Sequence, residues 1–347
     1  MNKKYFKKYD KCIYCNSKKL VKENKQVHVN NFYVQAIKSD LKLSQSDLKK
    51  IVVYKCMNCQ ILQNNPWFTE SISRRIYSNI YGQHNRNWSN MLNFLNKGKT
   101  PNHGNLYKII NKNLKIESYA EYNTPFMGLL IDFFKNEYQI DKKFYKGLSN
   151  NIFNYFNSRQ VAGKTKNFQK KSFNNSMKYY ANISKLKKQN LKKNNIIEKF
   201  LFVDNSNLSW GQNDNYNSVN SKSFASEFLD LEILDCYKKY RKNKIDLFGI
   251  FHSLDHTFEP KKILDFALNV SKNVVVYCHA DKMVNKQHLF SITNNFLKYL
   301  NRNNIHTFDL TNRIKKTYKS KELYFICSKK KTEIEKFIKS FENKIEK

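Results

Sequence analysis

No stretch of this sequence approaches the roughly 18 consecutive apolar residues that a membrane-spanning helix needs. Its first eight residues, Met-Asn-Lys-Lys-Tyr-Phe-Lys-Lys, are basic but have no apolar stretch behind them. That start does not read as a secretory leader, and a cytoplasmic, soluble protein is the expectation. Acidic residues are scarce: 28 Asp and Glu stand against 63 Lys and Arg, a formal net charge of +35. Such a balance invites a nucleic-acid partner. Lysine is diffuse, however, and comes with abundant Asn, Ile, Tyr and Phe, the drift expected of an A/T-rich genome. A polyanionic partner stays open and is not favoured. Cysteine is sparse as well, with seven in 347 residues. An odd number, partly arranged as Cys-x-x-Cys, argues against a secreted disulfide framework and suits metal binding. What is present is 40% hydrophobic residues, enough for one large core and a smaller accessory unit.

The accessory unit is expected over residues 1–85. Cys12-Ile-Tyr-Cys15 and Cys56-Met-Asn-Cys59 are matched pairs. Two thiolates three residues apart on a tight turn converge on one metal, so two pairs make a tetrahedral four-sulfur site. Four thiolates close the site, which points to structural zinc. His28 is a weaker candidate. The long spacer holds an amphipathic stretch, Phe32 to Leu48, and Ile51-Val-Val-Tyr54 reads as a strand feeding the second pair. Residues 86–115 read as a helical connector ending in a helix over Asn105–Asn113.

From residue 116 the pattern alternates. Ile116 to Glu121 reads as a strand, Asn123-Thr124-Pro125 as a turn, and Phe126, Leu129, Leu130, Phe133 and Phe134 follow helical spacing. Strand, tight turn and helix, with an acid at the strand's end, is the layout of a dinucleotide-type cofactor turn. Glycine is rare here, and only Gly128 is near. Residues 137–198 form a Lys/Asn-rich excursion. Phe200-Leu-Phe-Val203 is the next strand, and Asp204 ends it. An acid there holds a ribose hydroxyl pair or caps a turn. Phe224 to Leu234 is amphipathic. Ile245 to Phe251 is an apolar run with one charge, Asp246, and reads as a buried strand. It gives way at once to His252, Asp255, His256 and Glu259, with Pro260 opening a helix to Val270. A buried strand with a polar end, just before a helix, is where open α/β sheets place ligands. Asn273 to Tyr277, His306 to Asp309 and Leu323 to Cys327 are further strands. A helix containing Phe296, Leu297 and Leu300 lies between. Ile334, Phe337, Ile338, Phe341 and Ile345 stripe a helix within residues 331–347. The expected fold is α/β: a Rossmann-like, mostly parallel sheet over residues 116–330, with helices on both faces, preceded by a small zinc-binding domain.

Leu254-Asp255-His256 with Glu259-Pro260 resembles the segment of class I S-adenosylmethionine-dependent methyltransferases in which a strand ends in Leu-Glu-His followed by an acid-Pro pair. Gln287-His288-Leu289-Phe290-Ser291 resembles the Glu-His-Leu-Phe-Ser segment after the next strand of that family. The paired cysteines resemble the zinc leader of bacterial sugar methyltransferases that tailor nucleotide sugars or surface polysaccharides. The family's glycine turn stands here as Glu121 to Gly128, with Asn123, Pro125 and Met127 at its glycine positions.

The resemblance implies a methyltransferase acting on a small-molecule or sugar-nucleotide acceptor, with S-adenosylmethionine and structural Zn2+ as cofactors. It implies Glu121, Asn123, Gly128, Asp204, His252 and Asp255 as donor-binding residues. It implies His288, with His252, as the catalytic histidines, although Gln287 replaces the family's glutamate beside the base. The competing readings are a non-catalytic relative serving as a binding or assembly partner in a glycan pathway, and a zinc-ribbon nucleic-acid binder.

Overall fold

The computed structural model describes residues 5–23, 51–72, 103–122, 128–129, 132–133, 199–204, 232–235, 238–242, 245–251, 253–280, 289–314 and 322–342. The strands in chain order are β1 (Phe6–Lys7), β2 (Leu20–Lys22), β3 (Val52–Cys56), β4 (Leu62–Asn65), β5 (Trp67–Phe68), β6 (Ser118–Tyr122), β7 (Lys199–Asp204), β8 (Glu232–Asp235), β9 (Ile245–Phe251), β10 (Ser271–His279), β11 (Phe290–Ser291), β12 (His306–Asp309) and β13 (Glu322–Ser328). The helices are α1 (Leu106–Asn113), α2 (Pro260–Val270), α3 (Asn294–Arg302) and α4 (Lys331–Glu342). Among the described residues, no helix is long and apolar enough to cross a membrane.

The fold is mixed α/β around a seven-stranded, mostly parallel sheet of order β12-β13-β10-β9-β6-β7-β8. Strands β8, β7, β6, β9 and β10 run parallel. β13 is antiparallel to both its neighbours, so β12 runs with the rest. The strand sequences explain the arrangement. β9 and β10 are near-continuous apolar runs, buried along almost their whole length. A strand of that kind needs cover on both faces.

Helices supply that cover. On one face, Ile263, Leu264 and Phe266 of α2 and Phe296 and Leu300 of α3 share a cluster with Phe248, Ile250, Val274 and Val276. Each such large side chain contributes roughly 1.5–3 kcal/mol on burial. On the other face, Tyr107 of α1 meets Phe133 edge-on at 5.0 Å, and Phe133 lies 4.5 Å from Tyr119 of β6. α1 in turn touches α4, where Ser340 Oγ donates to Asn113 Oδ1 at 3.0 Å.

One charge in the apolar run of β9 has a structural use. Asp246 Oδ2 accepts from the Glu117 N–H at 2.9 Å and from the Ser118 N–H and hydroxyl at 3.0 Å. Its Oδ1 meets Lys272 Nζ at 2.6 Å. The carboxylate thus ties the amino ends of β6, β9 and β10 together.

The N-terminal residues form a four-stranded sheet, β11-β4-β3-β2, and a β1-β5 pair. Its outer strand β11 comes from far along the chain: Phe290 pairs with Gln63, and Ser291 with Leu62. Two buried amides hold the segment before the first cysteine pair. Gln63 Oε1 accepts from the Ile13 N–H at 3.0 Å. Asn65 accepts from the Tyr9 N–H at 3.0 Å and donates to the Tyr9 carbonyl at 2.6 Å. Cys12, Tyr14, Trp67 and Phe68 belong to the same apolar cluster as α2 and α3, so the two sheets share one core. Glu232–Asp235 form edge strand β8, which begins inside the amphipathic segment expected over Phe224–Leu234. The amphipathic stretch 32–48, the excursion 137–198 and residues 86–102 of the expected connector lie outside the described residues.

Candidate functional site

The chain runs from central β6 outward through β7 to β8, then returns to the other side of β6 with β9 and β10. The order therefore reverses between β6 and β9. A doubly wound sheet opens a ligand crevice outside the carboxyl ends of its strands at such a switch point. β6 ends there at Tyr122, β7 at Asp204, β9 at Phe251 and β10 at His279.

Glu121 is fully buried on β6. Its Oε2 accepts from the Tyr119 hydroxyl at 2.6 Å and from the Leu129 N–H at 3.0 Å. The strand's acid is thus bonded to the backbone that follows Gly128. Burial and the neighbouring Glu121 charge push the Tyr119 phenol well above its ordinary range, which keeps it a donor. Gly128 is required by this contact, because a β-carbon there would stand 2.3 Å from Glu121 Oε2. Gly249 is required by a second close approach: a β-carbon would meet the Tyr119 hydroxyl at 2.5 Å.

Beyond β9, Ser253 Oγ donates to the Phe251 carbonyl at 2.8 Å, and a single 3-10 turn, Leu254–His256, follows. Thr257 Oγ1 accepts from the Glu259 N–H at 3.2 Å, and Pro260 then opens α2. Proline suits this position, where the helix has no use for its missing N–H. The turn buries Asp255 completely. Asp255 Oδ2 meets Nδ1 of His279 at 2.8 Å and accepts the His279 N–H at 3.2 Å. His279 went unnoticed as a site residue in the sequence, because 24 residues separate it from its partner. The available signal was a histidine closing an apolar strand beside one that ends in an acid.

The remaining expected donor and base residues divide in two. Asp204 closes β7 in register with Asp235. His252, Asn123 and His288 lie outside the described residues. So does His28. The segment after His288 is placed, however: the Leu289 carbonyl accepts from the Asn64 N–H at 2.9 Å, and β11 begins at the next residue.

The four expected metal ligands do converge. The sulfur atoms of Cys12, Cys15, Cys56 and Cys59 all lie within 4.8 Å of one another. Cys12 and Cys59 Sγ are 3.4 Å apart, and Cys15 and Cys56 Sγ 3.6 Å. Zinc–sulfur bonds of about 2.3 Å put tetrahedral ligands about 3.8 Å apart, so the cluster fits zinc. Both pairs use one backbone design. The N–H four residues after the first cysteine donates to its carbonyl, Asn16 to Cys12 at 2.9 Å and Gln60 to Cys56 at 2.8 Å. The residue closing each turn is left-handed, Asn16 at φ 57° and Gln60 at φ 65°. The Cys12 and Cys15 sulfurs, with burial, push the Cys59 thiol far up. Four thiolates together require a cation. The site is joined to the start of α3 by Thr293 Oγ1, which donates to the Gln60 carbonyl at 3.0 Å, and by Tyr14, edge-on to Phe296 at 4.8 Å.

A groove of about 890 Å³ lies elsewhere, lined by Tyr14, Lys238, Lys242, Phe258, Lys261 and Asp265 among others. It follows the flank of α2 rather than the strand ends.

No protein-family model matches the chain, and no curated protein matches it. Among solved structures, a SAM-dependent methyltransferase, possible histamine N-methyltransferase, from Thermotoga maritima aligns over 74% of this chain and 100% of its own, with 10% identity and a TM-score of 0.35. A likeness that loose carries no argument for fold or activity.

Proposed function

We propose that this chain is an S-adenosylmethionine-dependent methyltransferase with a structural zinc site, acting on a small-molecule acceptor of the nucleotide-sugar or glycan-precursor class. The observation that carries the reading is the sheet: five parallel strands about the β6–β9 switch point, with antiparallel β13 between β10 and β12. That is the order class I methyltransferases share, and the sequence resemblance at Leu254-Asp255-His256 falls at the end of β9, as the family requires. The donor supplies a methyl group on a sulfonium. The chain's task is to hold it across the strand ends, align the acceptor and remove a proton.

In this reading Glu121 and Gly128 shape the donor turn after β6, the buried carboxylate lying against Gly128. Asp204, at the end of β7, holds the ribose, and Asn123 contributes to donor binding. His252 adjoins the donor, and His288 is the base that the resemblance suggests. The zinc-bearing sheet steadies the segment after His288 through β11. Cytoplasmic residence and the boundaries at residues 85, 115 and 330 belong to the same proposal.

Calorimetry with S-adenosylmethionine and S-adenosylhomocysteine tests it. Binding of both is expected; a folded, zinc-loaded sample giving no heat with either would refute the reading. One observation favours the non-catalytic alternative. The acid of the turn is bonded inward to Leu129, and Asn123, Pro125 and Met127 stand at glycine positions. The absence of heat would favour that alternative.

A further inference from the structure

Asp255 is wholly buried at the end of β9. A carboxylate taken out of water needs strong donors, and His279 gives it two, the backbone N–H at 3.2 Å and Nδ1 at 2.8 Å. A carboxylate at Nδ1 keeps the neutral ring's proton on that nitrogen and the lone pair on Nε2. The ring is about one-third exposed, at 32%. It stands at the carboxyl end of β10, beside β9, which borders the switch point. Among the described residues, other ionisable groups lie near it. Glu322 sits opposite His279 in β13, and its Oε1 accepts from the Tyr277 hydroxyl at 2.6 Å. Tyr324 and His103 are bonded to each other at 3.0 Å. The Cys278 thiol is fully buried. Asp255 holds the imidazole at Nδ1.

Resting on the methyl-transfer reading above, we propose that His279, held by Asp255, is the catalytic residue that takes the acceptor's proton, in place of His288, which has Gln287 where the resemblance expects a carboxylate. The acceptor's oxygen or nitrogen bonds to the methyl carbon as the carbon–sulfur bond breaks. That bond's electron pair stays on sulfur, and S-adenosylhomocysteine leaves. The acceptor's proton passes to Nε2, and Asp255 stabilises the resulting imidazolium without itself being protonated.

Long-range proton–nitrogen spectra of histidine-labelled, zinc-loaded full-length protein test this without knowledge of the acceptor. The His279 signals are assigned by their loss in His279→Gln. The neutral ring is expected to carry its proton on Nδ1. Its titration midpoint is expected to fall by about one unit or more in the S-adenosylmethionine complex relative to the S-adenosylhomocysteine complex, because a sulfonium charge within about 6 Å disfavours imidazolium. A neutral ring protonated on Nε2, or equal midpoints with both ligands bound, overturns the role of His279 and leaves the methyl-transfer reading standing. Failure of both ligands to bind removes that reading, and this role with it.

Discussion

Gly128 and the Glu121 carboxylate occupy one volume: a β-carbon on Gly128 would lie 2.3 to 2.4 Å from the carboxylate's carbon and both oxygens. A flexible side chain on the surface would swing aside. This one is buried and bonded to the Tyr119 hydroxyl and the Leu129 N–H. Gly128→Ala therefore forces the carboxylate off its donors or shifts the turn. Overpacking of this kind costs about 1–3 kcal/mol. Chemical denaturation is expected to show that loss, and calorimetry a weaker affinity for S-adenosylmethionine. An unchanged unfolding midpoint would contradict the packing described.

Asp246 gives a pH signature. Burial opposes its ionisation, but Lys272, the Glu117 N–H and Ser118 outweigh burial and hold the carboxyl below its usual range. A folded value below the unfolded one, about 3.9, contributes stability above that pH and loses it as pH falls through the folded value. Asp246→Asn is expected to destabilise the protein by about 1.5–3 kcal/mol at pH 7, the scale of hydrogen bonds to a charged group. The gap between variant and parent should close below about pH 4. A gap that is constant from pH 7 to pH 3 would contradict this assignment.

Metal analysis is expected to find one zinc per chain, lost in Cys59→Ser. Structural zinc binding supplies folding free energy directly. Chelation should therefore lower the thermal midpoint and raise amide exchange at Asn64, whose N–H bonds to the Leu289 carbonyl. Unaltered exchange there after metal removal would show that the cysteine cluster and β11 are not coupled.

The Asn65 side chain is predicted to act as a backbone substitute. Asn65→Ala strips partners from both the N–H and the carbonyl of Tyr9. Leaving such groups unsatisfied costs about 1–3 kcal/mol. The loss is expected in equilibrium unfolding of the zinc-loaded protein, and Asn65→Asp should recover only the half that accepts from the N–H.

Much of the fold was legible before any coordinates. Apolar runs marked β9 and β10, and the stripe through Ile334, Phe337 and Phe341 marked α4, because local burial writes its period into the sequence. The cysteine pairs were legible because metal ligands need a fixed local spacing. β8 was not, because four residues at a sheet edge carry too little pattern to separate from an amphipathic segment. Nor was β11, since two residues define a strand only through their partner, β4.

The sequence by itself determined the strands of the large sheet's centre, the two Cys-x-x-Cys pairs and the polar end of β9. Each rests on a short local pattern, the cysteine cluster on two of them. Tertiary structure decided what those residues face. It turned the Glu121 carboxylate inward onto Leu129, gave Asp246 to the amino end of β6, joined the segment after His288 to the cysteine-bearing sheet, and set His279 against Asp255. Each is a contact between distant positions. A buried charge takes whichever donor the packed strands bring to it, and no local spacing records that choice.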